Sequence, residues 1–235
     1  MYTKYLCKRW QGLLEMIVNL VGNGYYYVHI TYLPESKKEK WQKIDQKLIE
    51  KYKADLTKDQ RYQRKKKNIA HFRYLRWENI AIVLHTPGEI ISPGTMQHPH
   101  LNTKQLELYA IEKDDSFSNV RQHPVFLRIS DGVVFDIRFL PKKAKKKEVV
   151  TVRLEKQMVK DIKAQLEEYL AARAKNKVLF TYHNLNGFPA WGGIISQKRS
   201  IKKFILQCAR KHSIKIKDEE LFLNDFRKKE DSVFI

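Results

Sequence analysis

The sequence has few of the residues on which disulfide-linked, zinc-binding and membrane-spanning proteins depend. Cys7 and Cys208 are the only cysteines among 235 residues. Two thiols cannot form a disulfide framework or a four-thiolate zinc site, so they indicate a reducing, cytoplasmic environment. The chain also has no run of about 18 apolar residues, and we therefore expect no membrane insertion.

Signatures of several common enzyme classes are missing as well. The sequence has no Gly-rich phosphate loop, no Gly-x-Ser-x-Gly nucleophile elbow and no Cys-x-x-Cys pair. These absences exclude the usual nucleotide-binding, serine-hydrolase and thiol-redox motifs. We therefore predict no cofactor and favour a non-catalytic protein.

What the sequence does have is a large excess of positive charge. Lysine and arginine number 46 against 26 acidic residues, a formal net charge of +20. The excess is spread along the chain, because a net positive charge falls in each of residues 1–50, 51–100, 101–150, 151–200 and 201–235. Such a chain repels itself unless a polyanion lies against it, and nucleic acid is the usual polyanion. The alternative is that the lysines serve only solubility.

Hydrophobic periodicity predicts an α+β fold. Apolar residues at helical spacing from Leu6 to Val21 indicate a first helix ending at Gly22, and Tyr25–Leu33 is typical of a strand. We expect a mixed or antiparallel sheet with helices on one face, ferredoxin-like elements and a basic C-terminal helix. The predicted domains are an α+β core over residues 1–175 and a small helical lobe over residues 176–235, packed on the core.

A β-hairpin around Asp131-Gly132 is the clearest local prediction, because this dipeptide favours a type I′ turn between the β-rich runs of Val125–Leu140. The remaining segments are assigned by pattern and by turn residues. They are a helix over residues 37–55 capped by Ser36 and Glu39, a basic connection over residues 59–68, one strand over Phe72–His85, a loop over residues 86–104, a helix carrying Met158 to Leu170, a possible strand over Val178–His183 and a last helix capped by Ser196.

Clustered cations are the candidate nucleic-acid-binding residues. Flexible ammonium groups make point-charge contacts to phosphates without reading bases. The alternative is a solvated surface, or edge lysines that prevent strand pairing. The candidates fall in two basic runs and on the last helix: Arg64, Lys65, Lys66, Lys67, Lys142, Lys143, Lys145, Lys146, Lys147, Lys198, Arg199, Lys202, Lys203, Arg210 and the adjacent Lys211.

Aromatic side chains are interleaved with the charged residues along the chain. Tyr25, Tyr26 and Tyr27 cannot all face one side of a strand, so one or two could stack on bases, as could Phe188 and Trp191 in a Gly/Pro-rich segment. Core packing is the alternative for each ring.

Residues 25–90 run from a strand through a helix and a basic connection to a strand that ends at His85. This order resembles the first half of the HUH-type replication and mobilisation endonucleases. The resemblance implies two histidines on a strand, separated by one residue, that hold a divalent cation. It also implies a tyrosine on a later helix that attacks a DNA phosphate. Val83 and Pro87 stand where the second histidine should be, so the motif is broken.

Other residues could still support metal or nucleophilic chemistry. His98-Pro99-His100 is the single His-x-His of the chain, and it could bind a metal together with His85 or Glu89. Tyr169, one turn before Arg173, is the candidate nucleophile. The carboxylates of Asp136, Glu148 and Glu155 could mimic a nuclease cluster. Each of these has a structural alternative: solvated loop histidines, a core tyrosine, and His85 as a strand-end residue. We therefore assign no metal site.

Three functions follow as hypotheses. The first is a non-catalytic protein that grips the phosphate backbone of RNA or DNA within a nucleoprotein assembly, or in mobile-element replication or maintenance. The second is a divalent-metal-dependent, HUH-like endonuclease with altered histidines. The third is a scaffold subunit that docks on an acidic protein or an anionic surface.

Overall fold

Helices and antiparallel sheets together form the α+β fold that the sequence predicts. The computed structural model describes residues 5–112, 115–142, 147–226 and 232–235. The chain forms two compact units, the first comprising Met1–Val125 and Glu230–Ile235 and the second Phe126–Lys229. The division expected near residue 176 falls inside the second unit, at the start of a helix.

The elements of the first unit, in chain order, are α1 (Trp10–Gly22), β1 (Tyr27–Tyr32), α2 (Trp41–Tyr52), α3 (Lys58–Lys66), β2 (Phe72–Trp77), β3 (Ile80–His85), α4 (Thr103–Tyr109) and β4 (Ser118–Asn119). Its strands form a four-stranded sheet with the order β2-β3-β1-β4, in which neighbouring strands are antiparallel. Helix α1 begins later than predicted, because residues Leu6 and Cys7 are extended and the backbone N–H of Cys7 donates to Arg76 O at 2.7 Å.

The single strand predicted over Phe72–His85 is wrong. A two-residue turn at Glu78-Asn79 divides this segment into the hairpin β2–β3, with Trp77 paired to Ile80 and Glu78 at a φ of +44°. Strand β3 is buried along its whole length because β1 and β2 lie on either side of it. This position explains its continuous apolar sequence.

The helix expected over residues 37–55 is divided as well. Glu35–Lys40 form a 3₁₀ helix that follows Pro34, without the side-chain cap predicted at Ser36, and α2 then runs from Trp41 to Tyr52. The indole N–H of Trp41 donates to Pro34 O at 3.1 Å, which holds the entry to α2. Asp45 is fully buried on the inner face of this helix.

Two segments predicted to lack regular structure are helical. The basic connection contains α3, whose N-terminus has a capping box between Thr57 and Gln60. The predicted loop over residues 86–104 ends in α4, which has the same device between Asn102 and Gln105. In both cases the cap satisfies backbone N–H groups that a helix start leaves without partners.

The second unit contains a three-stranded sheet with the order β5-β6-β7. Its elements are β5 (Val125–Ser130), β6 (Val133–Lys142), β7 (Lys147–Leu154), α5 (Lys156–Ala171), α6 (Lys175–Asn184) and α7 (Gly192–Lys211). The predicted hairpin β5–β6 is confirmed, but its turn is not type I′, since Gly132 has a φ of +81° and Asp131 is not in the positive region.

The helices of the second unit pack around one apolar cluster that includes Leu166, Leu170, Tyr182 and Ile205. The strand predicted over Val178–His183 is wrong, because these residues form α6 and bury Val178 and Tyr182, four residues apart on one helix face. The cap predicted at Ser196 is also wrong. Helix α7 begins at Gly192, with Trp191 in the N-cap position, five residues before the predicted cap. No helix within the described residues is long and apolar enough to cross a membrane.

Candidate nucleic-acid interface

A basic groove lies within the second unit, between the β6–β7 pair and the helices α5 and α7. It encloses about 620 Å³. The side chains that line it include five cations and one carboxylate: Arg138, Arg153, Lys156, Lys160, Lys163 and Asp136. The groove therefore has a strong positive charge, and none of its five cations belongs to the basic clusters picked out from the sequence.

The strand side of the groove presents an ion pair and a second arginine. Asp136 and Arg153 are directly opposite in the β6–β7 register, and Arg138 is two residues after Asp136, so all three lie on one face of the sheet. The buried Asp136 carboxylate accepts two hydrogen bonds from Arg138, one of them from Nε at 2.8 Å. These bonds raise the pKa of Arg138. Since Arg138 already neutralises Asp136, Arg153 contributes an uncompensated charge.

The helix side presents three lysines at helical spacing. Lys156, Lys160 and Lys163 are at positions i, i+4 and i+7 of α5, so they lie on one face of the helix. Lys163 Nζ donates to Ser200 Oγ at 3.4 Å and lies 5.4 Å from the Phe204 ring centroid. Among the described residues, no carboxylate makes an ion pair with Arg153, Lys156 or Lys160.

Helix α7 is held against β7 by specific polar contacts. Gln197 donates to Leu154 O and accepts from Leu154 N, both at 2.8 Å, and the backbone N–H of Gly193 donates to Thr151 Oγ1 at 3.0 Å. A Cβ added at Gly193 would lie 2.4 Å from Val152 O, so glycine permits this close approach. These contacts fix α7 against β7, which are two of the elements that line the groove.

The predicted basic face of α7 is only partly present. Arg199, Lys203 and Arg210 are exposed and lie on one side of the helix. Lys202 Nζ instead forms an ion pair with Asp218 at 2.8 Å. Arg199 and Lys211 have longer ion pairs, to Asp225 at 4.0 Å and to Glu167 at 3.9 Å.

Lys198 is a correction to the predicted interface. Its side chain is buried and its Nζ donates to Phe188 O at 3.1 Å. Burial lowers the pKa of its ammonium group. Phe188 is partly buried and packs against the apolar cluster of the helices, which agrees with the core-packing alternative for this ring.

The basic residues from Arg64 to Lys67 in the first unit differ in exposure, so only some of them can contact a ligand. Arg64 is 1% exposed and therefore does not belong to the surface, contrary to prediction. Lys67 Nζ donates to Gln105 Oε1 at 2.8 Å and to His100 O at 3.2 Å. Lys65 and Lys66 are exposed, as a phosphate contact requires.

The second basic run, from Lys142 to Lys147, connects β6 to β7 and is called the lysine-rich tip of this hairpin. Lys142 and Lys147 are paired in the strand register, so the consecutive strands β6 and β7 flank this connection. Lys143, Lys145 and Lys146 lie outside the described residues. Strand β6 is continuous from Arg138 to Lys142, so the tip is about 14 Å along the strand from the groove.

His85 is packed among aromatic rings in the first unit. Its ring stacks on Tyr27 with centroids 4.6 Å apart and lies 4.7 Å from Phe72 and 4.8 Å from Phe117. Its Nδ1 is 2.8 Å from Thr86 O. These contacts agree with the alternative in which His85 is a structural strand-end residue. The neighbouring tyrosines are also engaged, since Tyr25 packs edge-on against His71 and Tyr26 contacts the Arg121 guanidinium at 4.9 Å.

In the loop of residues 86–104, called the histidine loop below, both ring nitrogens of His98 make contacts within the loop. His98 Nε2 is 2.9 Å from Glu89 Oε2, and His98 Nδ1 accepts from the backbone N–H of His100 at 3.1 Å. His98 thus contacts both Glu89 and His100, while His85 lies in the aromatic cluster. Within the described residues, no three His, Cys, Asp or Glu side chains are grouped as a metal site would need.

The remaining catalytic candidates are separated from the histidine loop in the chain. Tyr169 belongs to the second unit, is half-buried, and accepts a hydrogen bond from Gln165 Nε2 at 3.2 Å while Lys177 lies 5.6 Å from its ring. Of the predicted carboxylate cluster, Asp136 is paired with Arg138. Glu155 takes the N-cap position of α5, and its side chain makes no capping hydrogen bond.

The sequence contained one signal for the groove. Lysines at positions i, i+4 and i+7 of α5 could have been identified beside the apolar stripe of Ile162 and Leu166. Arg138 and Arg153 gave no such signal, because only the strand register brings them together.

Comparison of the chain with protein-family models, with curated proteins and with solved structures finds no match in any of the three.

Proposed function

We propose that this protein binds the phosphate backbone of a nucleic acid in the basic groove of its second unit. The observation that carries the proposal is the charge of the groove, where Arg153, Lys156 and Lys160 face a common space without a carboxylate partner among the described residues. Like charges held together this way repel each other, and a phosphate between them removes that repulsion.

The start of helix α5 supports the same ligand. Lys156 is its first residue. The Glu155 side chain at the N-cap makes no capping hydrogen bond, and the first turn has no acidic side chain. A cation at this position is unfavourable, because the N-terminus of a helix has partial positive charge. A bound phosphate would compensate both the lysine and the backbone N–H groups of the first turn.

Two further basic features would extend the contact beyond the groove. Arg199, Lys203 and Arg210 continue along the exposed side of α7 over about 16 Å, the length of eleven helical residues. The lysine-rich tip of the β6–β7 hairpin lies at the other end of the strands that form the groove. An extended row of cations suits a polymer with regularly spaced phosphates better than a single small anion.

The experiment is a binding titration against labelled single-stranded DNA, duplex DNA and an RNA hairpin at several salt concentrations. The groove variant replaces Arg153, Lys156 and Lys160 with glutamine. Its matched control replaces Lys43, Lys47 and Lys58, three exposed lysines of the first unit, and so removes the same charge. Each lost phosphate contact lowers the slope of log K against log salt by about 0.7–0.9. We therefore expect the slope of the groove variant to become shallower by about two to three, and the slope of the control to change little.

Equal losses for the two variants would show that binding depends on net charge alone, and the groove would no longer be the binding site. Weak binding of the unmodified protein to all three ligands would overturn the proposed function itself.

A second variant tests the tip of the β6–β7 hairpin separately. Replacing Lys142, Lys143, Lys145, Lys146 and Lys147 with glutamine should reduce the salt slope further if the tip contacts phosphates. An unchanged slope would remove the tip from the interface and leave the groove as the whole site.

A further inference from the structure

A second cavity, within the first unit, has the buried Arg64 among its lining residues. It encloses about 510 Å³ between the end of α2, helix α3 and helix α4. Leu56, Leu108 and Tyr109 supply apolar lining. The lining residues other than these and Arg64 are polar or charged: Glu50, Lys53, Asp55, Asp59, Gln60 and Gln63. Most of the cavity surface is nonetheless apolar, and its volume lies in the range of small-molecule sites.

The guanidinium of Arg64 has fewer partners than its burial requires. Nη1 donates to Ala70 O at 3.4 Å, and the guanidinium carbon lies 4.7 Å from the centroid of the Tyr109 ring. Nε and Nη2 are buried, and no hydrogen-bond acceptor within the described residues reaches either atom. A buried cation in this state is costly, because it has lost water without gaining an anionic partner.

The two unpartnered nitrogens point to a particular class of ligand. Nε and Nη2 form one edge of the guanidinium, and their N–H groups are parallel. This edge matches the two oxygens of a carboxylate, which accepts both hydrogen bonds at once. The exposed carboxylates of Glu50, Asp55 and Asp59 would repel a doubly charged phosphate more strongly than a singly charged carboxylate.

We propose that this cavity binds a small carboxylate with an apolar body. The carboxylate pairs with Nε and Nη2 of Arg64, and the apolar body packs against Leu56, Leu108 and the Tyr109 ring. The site is distinct from the basic groove, since all its residues belong to the first unit.

Entry of the ligand requires a small movement of the wall. Nε and Nη2 have almost no exposed surface, so a carboxylate reaches them only when a neighbouring side chain rotates. Gln63 and Leu108 line the cavity and are exposed, and exposed side chains change rotamer on the nanosecond timescale.

The first test uses the unmodified protein and simple probes at constant ionic strength. Sodium benzoate and sodium hexanoate are titrated while the Arg64 Nε–H signal is followed by NMR, with benzamide as the neutral isostere and phenyl phosphate as the dianion. Both carboxylates should shift this signal with saturation, and benzamide should not. Phenyl phosphate should bind more weakly than benzoate. No saturable shift with either carboxylate up to about 10 mM, or an equal response to benzoate and benzamide, would overturn the proposal.

The second test removes the paired hydrogen-bond donors. Arg64→Lys keeps the positive charge but cannot make the two parallel hydrogen bonds, so benzoate affinity should fall about tenfold or more. Lys65→Gln, an exposed neighbour on the same helix, is the matched control and should retain the affinity of the unmodified protein. Unchanged benzoate affinity in a folded Arg64→Lys variant would contradict the assignment. If this variant does not fold, the comparison of benzoate with benzamide on the unmodified protein decides.

Discussion

Replacing Asp45 with alanine should destabilise the first unit more than any surface substitution. Asp45 is fully buried on α2, where its carboxylate accepts from Tyr74 Oη at 2.6 Å and from Arg76 Nε at 2.8 Å. Burial and the hydrogen bond to Asp45 raise the pKa of Tyr74. The three side chains therefore connect helix α2 to strand β2 through one polar network.

The expected loss follows from what the substitution leaves behind. In Asp45→Ala, the 8% exposed Arg76 keeps its hydrogen bond to Glu78 O and its contact with the Trp41 ring but loses its counter-ion. Removing one partner of a buried ion pair costs about 3–5 kcal/mol, and the remaining contacts of Arg76 place our expectation near the lower end, about 3 kcal/mol. This is a large part of the stability of a typical domain, about 5–15 kcal/mol.

The assay is urea unfolding followed by tryptophan fluorescence. Glu50→Ala, an exposed position on the same helix, is the control and should change the free energy of unfolding by less than about 0.5 kcal/mol. Replacing the network as a whole, by Asp45→Leu with Tyr74→Phe and Arg76→Met, should recover most of the loss, because no buried charge remains. An Asp45→Ala variant as stable as Glu50→Ala would refute the reasoning.

Three further predictions concern a histidine, a glycine and a lysine. Burial, together with nearby Arg61, Arg64, Lys65 and Arg73, lowers the pKa of His71 to about 4. Since the unfolded chain takes up this proton near pH 6.5, stability should fall by about 1.4 kcal/mol per pH unit from 6.5 towards 4, and His71→Gln should flatten this part of the urea-unfolding profile. Gly193→Ala places a Cβ 2.4 Å from Val152 O and should cost about 1–3 kcal/mol and weaken nucleic-acid binding, whereas Gly192→Ala, with open space around it, should change neither quantity. Lys198→Met should leave nucleic-acid affinity unchanged, because its ammonium group is buried against Phe188 O; a loss comparable to that of the groove variant would return Lys198 to the interface.

Sequence patterns predicted those elements whose packing follows their own periodicity. Helix α5 has an apolar stripe and buries Leu166 and Leu170 as expected. The hairpin β5–β6 was found from Asp131-Gly132, because a tight turn is a local property of these residues.

The failures have equally specific causes. Helix α3 has almost no apolar residue, so hydrophobic periodicity could not predict it. Its sequence signal was the capping box at Thr57 and Gln60. Val178–His183 is rich in β-branched and aromatic residues, but burial of Val178 and Tyr182 against the helical cluster overrides that preference. The turn at Glu78 lacks the glycine that usually marks a two-residue hairpin.

The candidate sites show the same division between local and long-range information. Clustered charge along the sequence identified Arg64, which the fold buries, because a charge run does not tell which member faces inward. The groove brings together Arg138, Arg153 and Lys156 from two strands and a helix, an arrangement that depends on the β6–β7 register and on the docking of α7.

Lysine footprinting tests the groove most directly. The protein is acetylated with and without a short oligonucleotide at low salt, and the modification of each lysine is measured by mass spectrometry. We predict that Lys156, Lys160 and Lys163 are strongly protected by the oligonucleotide, while Lys43, Lys47 and Lys58 remain as reactive as in the unbound protein. Protection of all six lysines to the same extent, or of none in the groove, would contradict binding of the phosphate backbone at this site.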